Sequence, residues 1–160
     1  MESPRYFSAY IVSLVTGETI PLVTAPESLG ESISANYNEQ DILARSAPMI
    51  AYTSTGARKV TISMKLHEDV LPSGYNINSY INSLKSLVYP EYSGSGNLTP
   101  PSAKLMMGTS LNVIGVVNSV EVNWITDVYR DNRIPMASVS LTITETRQSC
   151  PGATTIKNGG

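Results

Sequence analysis

Alternating apolar and polar residues mark several β-strands along the chain. The clearest run is residues 59–69, KVTISMKLHED. A period of two is typical of a strand with one buried face. His67 lies on the opposite face and is predicted to point away from the core. The apolar face of this run comprises Val60, Ile62, Met64 and Leu66.

The same pattern predicts further strands separated by turn residues. Thr16-Gly-Glu18 forms a turn, so the first two strands should pair as an N-terminal hairpin. Residues 41–55 show no regular pattern and are predicted to be irregular. The last two strands should form a long antiparallel hairpin, joined by the loop 126–133. The predicted strands span residues 7–15, 19–23, 31–38, 57–66, 103–107, 112–125 and 135–145.

The two long C-terminal strands each carry a predicted core face. In the strand 112–125 this face is interrupted at Asn118. The final strand alternates without interruption, and its serine and threonine residues fall on the other face. The predicted core faces are Ile114, Val116, Val120, Val122 and Trp124 in the first strand, and Ala137, Val139, Leu141 and Ile143 in the second.

One amphipathic helix is predicted over residues 76–88. Asn76 or Ser73 can cap its start by accepting hydrogen bonds from free amide groups, and Pro90 ends it. Apolar residues recur at spacings of three and four, which places them on one stripe that packs into a core. The stripe comprises Ile77, Tyr80, Ile81, Leu84, Leu87 and Val88.

These elements predict a mainly β fold with one amphipathic α-helix. The sheet is expected to be an antiparallel β-barrel, or a half-closed sheet packed on the helix. Residues 1–146 should form a single barrel-like domain, with residues 1–30 as an N-terminal hairpin extension. Residues 147–160 lack periodicity and are predicted to be a flexible or docking tail.

Composition narrows the classes of function. Eleven basic and thirteen acidic residues give a formal charge of −2, which lacks the basic excess needed to neutralise nucleic acid. The chain shows neither a signal-peptide pattern nor an apolar run long enough to span a membrane. Cys150 is the only cysteine, so no internal disulfide is expected. We therefore expect synthesis in the cytoplasm and contact with neither nucleic acid nor membrane.

The sequence His67-Glu68-Asp69 raises the question of a catalytic or metal site. A zinc site needs further ligands, and covalent catalysis needs a nucleophile beside a base. No HExxH, CxxC, GxSxG or phosphate-binding glycine loop occurs. We expect no catalytic residue, no metal ligand and no cofactor, and we interpret the run as a solvated strand end.

An ordered series of segments carries a family resemblance. The segments are ESISANYNEQ, ILARSAPMIAYTSTGARKVTISMKLHED, INSLKSLVYPEY, PPSAKLMMG, GVVNSVEVNW and ASVSLTITET, which span residues 31–146. In this order the chain resembles the baseplate protein of contractile phage tails and related injection machines that is commonly fused to a lysin-motif domain. Residues 147–160 are too few for that domain, so peptidoglycan binding is not implied.

The resemblance implies a structural virion protein and not an enzyme. Such a subunit would form a homo-oligomeric ring around the tail tube or central hub and connect it to the baseplate wedges. Its partners would be the tube, hub and wedge proteins of the tail. Rings of this kind are held by strand edges and by apolar or aromatic anchors. The candidate anchors, which lie near loops or strand ends, are Tyr89, Tyr92, Trp124 and Tyr129.

Two other classes of function remain open at this point. A tail-tube or tube-initiator protein also builds rings from a β-barrel with one helix, and a long exposed hairpin would favour it. A small carbohydrate-binding module or hydrolase is the second alternative. The lack of a nucleophile-base pair weighs against a hydrolase. Trp124 is the only tryptophan, which weighs against a carbohydrate-binding module.

Overall fold

The strands of the chain alternate with short turns, and one amphipathic helix follows the sixth strand. The computed structural model describes residues 9–22, 26–44, 46–92, 94, 96, 98–99, 101–126, 132–146, 153 and 157. The helix is α1 (Ile77–Ser86), preceded by the 3₁₀ turn Glu68–Val70. The strands are β1 (Ala9–Ser13), β2 (Thr19–Pro21), β3 (Ser28–Ser32), β4 (Ala35–Gln40), β5 (Met49–Thr55), β6 (Lys59–His67), β7 (Glu91–Tyr92), β8 (Leu98–Thr99), β9 (Ala103–Met107), β10 (Leu111–Trp124) and β11 (Met136–Glu145).

Among the described residues, seven strands form one antiparallel sheet in the order β2-β1-β9-β10-β11-β6-β3. Its outermost strands, β2 and β3, do not pair with each other, so the sheet does not close into a barrel. Of the two predicted alternatives, a β-barrel and a half-closed sheet packed on the helix, the fold is therefore the half-closed sheet. The predicted hairpin of the last two strands is confirmed as β10 paired with β11.

One face of this sheet and α1 share a single hydrophobic core. Alternate residues of β6 and β11 point inward as predicted, and the four inward residues of β11 are fully buried. On α1, Ile77, Tyr80, Ile81 and Leu84 are buried. The Tyr80 hydroxyl donates a hydrogen bond of 2.8 Å to the carbonyl of Pro21 and so ties the helix to β2.

Local sequence fixes the start of α1. Asn76 is the N-cap, and its Oδ1 accepts a hydrogen bond of 2.8 Å from the amide of Ser79. The Ser79 hydroxyl in turn accepts the Asn76 amide at 3.1 Å, which completes a capping box. The helix ends at Ser86, with Leu87 as its C-cap, four residues before the predicted stop at Pro90.

The predicted core face of β10 is wrong in its first half. Leu111, Val113 and Val117 are buried, whereas Ile114 is 45% exposed and Val116 lies on the outer face with it. The pairing with β11 shifts between Val117 and Ser119. A β-bulge inserts one extra residue and reverses the alternation. Beyond the bulge Val120 and Val122 pack against the core, as predicted, whereas Trp124, predicted on the same face, is exposed.

The segment between residues 24 and 55 also differs from the prediction. The single strand predicted over residues 31–38 is replaced by β3 and β4, which belong to different sheets. Residues 41–55, predicted to be irregular, contain β5, which pairs with β4 in a two-stranded hairpin. Every described residue of β4 and β5 is exposed, so β5 has no buried face that would have revealed it in the sequence.

The N-terminal hairpin predicted from the turn at Gly17 forms between β1 and β2. It also adds to the main sheet, because β1 pairs with β9 and the side chains of Ile11 and Ile20 are fully buried. Most of residues 147–160 lies outside the described residues, so the predicted tail stays a prediction. Within the described part of the chain, no helix is long and apolar enough to cross a membrane.

Candidate assembly surface

The run KVTISMKLHED ends as a capped turn. His67 is the last residue of β6, and its Nδ1 accepts a hydrogen bond of 3.2 Å from the amide of Asp69, which caps the 3₁₀ turn. Asp69 Oδ2 lies 3.5 Å from the same nitrogen, at a site where both side chains are substantially exposed. Glu68 points elsewhere and forms an ion pair of 3.3 Å with Arg133. The three side chains therefore do not converge on one point.

No metal-binding cluster appears in the described ranges: they contain no group of three or more His, Cys, Asp or Glu residues close enough to hold an ion. The expectations that the chain has no catalytic residue and no cofactor stay predictions. His67 acts as a local cap. Its imidazole accepts a hydrogen bond from an amide that the short turn leaves without a backbone partner.

The four aromatic residues predicted as anchors fall in separate places. Tyr89 and Tyr92 flank the start of β7 and are 73% and 72% exposed. Trp124 ends β10, opposite Ala137, and is 36% exposed. Tyr129 lies outside the described residues. A shallow cavity of about 120 Å³ next to Tyr89 separates the C-terminal end of α1 from the turn after β1.

A larger exposed apolar surface lies on a segment that the sequence patterns did not single out. Residues 33–57, which we call the arm, comprise the hairpin β4–β5 and its flanking residues. All described residues from 33 to 55 are exposed. The arm's exposed large apolar residues are Ile33, Tyr37, Ile42, Leu43, Met49, Ile50 and Tyr52.

The hairpin of the arm is amphipathic. Tyr37 pairs with Tyr52, and Glu39 with Ile50, so these four side chains share one face. The two tyrosine rings meet edge to face with centroids 5.8 Å apart. We call this set the aromatic face. The other face of the hairpin presents Asn38, Gln40, Met49 and Ala51.

An ion cluster and close backbone contacts hold the base of the arm. The Arg58 guanidinium forms an ion pair with Glu31 on β3 and lies 3.8 Å from Glu145 at the end of β11. The amide of Gly56 donates a hydrogen bond of 2.7 Å to the carbonyl of Ser34. Both strands of the arm therefore leave the main sheet at a fixed point.

A second, mostly apolar surface lies on the main sheet, on the face away from α1, where Ile114 is exposed and the other residues named below are half-buried. In the register of the sheet, Lys104 of β9 stands between Val12 of β1 and Ile114 of β10. Tyr10 and Met106 form the next row, and the tyrosine hydroxyl lies 3.0 Å from the methionine sulfur. We call these five residues the outer patch. Farther along the same face the surface is hydroxyl-rich, with Thr61 facing Thr142 and Ser63 facing Ser140.

Sequence comparison identifies no relative: the sequence matches no protein-family model and no curated protein. Among solved structures, the chain is similar to a chain of the cryo-EM structure of the anti-feeding prophage (AFP) baseplate, 6-fold symmetrised. The match covers 91% of this chain and 95% of that chain, with 6% identity and a TM-score of 0.41. At these values the likeness establishes neither a shared fold nor a shared function.

Proposed function

We propose that this chain is a structural subunit of the baseplate of a contractile phage tail or a related injection machine. In this role it forms a ring around the tail tube or central hub and connects it to the wedges. The observation that carries the proposal is the arm, an ordered hairpin whose aromatic face has no cover within the described chain.

An exposed arm of this kind is suited to binding protein. A two-stranded hairpin alone in water is marginally stable, so a long hairpin with an exposed apolar face gains stability when another surface covers it. Tyrosines are also frequent anchors at protein interfaces, because they bury a large apolar area and keep a polar group. The described residues of the arm contain no group of His, Cys, Asp or Glu side chains that could hold a metal ion.

The sequence resemblance supports the choice of machine. Two pieces of the segment ILARSAPMIAYTSTGARKVTISMKLHED, the sequence Arg45-Ser-Ala-Pro48 and the later Tyr52, fall on the arm. Gly56-Ala-Arg58, another such piece, leads from the arm into β6 and contains the arginine of the ion cluster. Part of the series that carries the resemblance therefore lies on the residues that build and hold the arm.

Purified particles from the bacterium or phage that encodes the chain test this function. We expect immunogold labelling at the baseplate end of the tail, and quantitative mass spectrometry should find the copies needed for one or two rings. Deletion of the gene should give particles with incomplete baseplates. Absence of the chain from the particles would overturn the proposal.

The arm also favours a second candidate, a tail-tube or tube-initiator protein, because a long exposed hairpin is what a stacked tube subunit would use to contact its neighbours. Copy number separates the two. A tube protein would be present in many stacked rings along the tail, and its antibody label would follow the tube and not the baseplate end.

A further inference from the structure

The aromatic face of the arm is an exposed apolar surface, the outer patch of the main sheet is a partly exposed one, and the two carry complementary charges. On the arm, Glu39 is the one charged residue of its face, which it shares with Tyr37, Ile50 and Tyr52. On the sheet, Lys104 is the one charged residue of the outer patch. Neither side chain has an ion-pair partner among the described residues.

Shape adds to this complementarity. The arm projects as a two-stranded ribbon with every described residue exposed, whereas the outer patch lies on three neighbouring strands of a continuous sheet. The flat face of a ribbon can lie on the face of a sheet, and apolar contacts between such faces release water from both surfaces. The single charge within each surface then determines which orientation is favourable.

We propose that the aromatic face of the arm docks on the outer patch of a second copy of this chain, with Glu39 paired to Lys104. This contact is the subunit contact of the ring proposed above, and it rests on that proposal for its biological setting. One copy donates the arm and the next copy accepts it, so the interface is heterologous. Such an interface closes into a ring or continues as an open array, depending on the rotation between neighbours.

Charge reversal tests the contact directly. Sedimentation velocity of the isolated full-length protein should show concentration-dependent self-association. Glu39→Lys and Lys104→Glu should each weaken the association at least about tenfold, because each places like charges together within an apolar contact. The double variant Glu39→Lys/Lys104→Glu should restore the association to within about threefold of the original protein, because the pair is re-formed with its signs exchanged.

Matched controls separate this contact from a general effect of charge. Glu91→Lys and Lys85→Glu make the same charge changes at exposed positions on β7 and α1, outside both surfaces, and should leave the association unchanged. Circular dichroism melts confirm that all variants are folded.

Three results would overturn the inference. A protein that stays monomeric at the highest concentration would mean that a different protein covers the arm. Single reversals without effect, or a double variant that does not recover, would mean that these two surfaces do not meet. The proposed function is tested separately. If the chain self-associates through Glu39 and Lys104 but is absent from tail particles, the contact is supported and the baseplate role is refuted.

Discussion

At the scale of single residues, Gly115 shows how closely β10 approaches β11. It pairs with Glu145 just before the bulge of β10. A Cβ atom added at Gly115 would lie 2.0 Å from the carbonyl oxygen of Thr144 and 2.7 Å from the carbonyl carbon of the same residue. Glycine within a strand often marks such a close backbone approach.

We therefore expect Gly115→Ala to destabilise the fold. The added methyl group meets backbone and not a flexible side chain, so β11 must move, at a cost of about 1–3 kcal/mol in the free energy of unfolding. Gly30→Ala is the control, because Gly30 also lies in a strand but has open space around its Cβ position. Urea denaturation measures both, and equal stability of the two variants would contradict the close approach.

His67 is expected to contribute little to stability. Its imidazole accepts one hydrogen bond at an exposed turn, and water can take its place at the Asp69 amide. His67→Ala should lower the free energy of unfolding by no more than about 1 kcal/mol. His67→Asn keeps an acceptor for the amide and should lie closer to the original protein. If His67→Ala folds normally yet yields particles that fail to inject, the residue belongs to a functional site after all.

At the scale of elements, α1 is the part whose role follows most directly from its residues. Leu84 is fully buried between the helix and the sheet, whereas its neighbour Lys85 is exposed. Leu84→Ala should destabilise the fold by about 2–5 kcal/mol, because it removes buried methyl groups and leaves a cavity. Lys85→Ala should change stability by less than about 0.5 kcal/mol. Thermal and urea unfolding check the pair, and similar losses in both variants would argue against the packing of α1.

The arm differs from α1 in its relation to the hydrophobic core. None of the described residues of its two strands joins the hydrophobic core. The pairing of Tyr37 with Tyr52 and of Asn36 with Ser54 holds the hairpin together locally. The arm therefore owes its order to cross-strand contacts and to the ion cluster at its base.

At the scale of the whole molecule, the domain should fold without the arm. The core contains no described residue between Leu22 and Val60, and the amide of Gly56 already bonds to the carbonyl of Ser34. We expect that replacing residues 35–55 by an Asn-Gly turn leaves a cooperative thermal transition within about 5 °C of the original. The same variant should lose self-association entirely. Loss of cooperative unfolding would show that the arm is part of the folding unit.

The sequence alone determined those parts of the fold in which burial is periodic. The inward faces of β6 and β11, the stripe of α1 and its Asn76 cap followed from spacing, because an element with one buried face must repeat apolar residues at its own period. It also indicated that Tyr89, Tyr92 and Trp124 lie near strand ends or loops, where the structure leaves them partly or largely exposed.

Only the tertiary structure decided the rest. The alternation of inward and outward residues in β10 reverses at the bulge. The sheet is half closed because its edge strands, β2 and β3, do not pair with each other. The strand predicted over residues 31–38 covers only part of β4, and β5 was missed because both of its faces are exposed within this chain, so no buried face imposed alternation on it. The outer patch combines β1, β9 and β10, which the chain brings together across many residues. Periodicity records local burial, whereas long-range strand pairing and exposed surfaces are set by the fold as a whole.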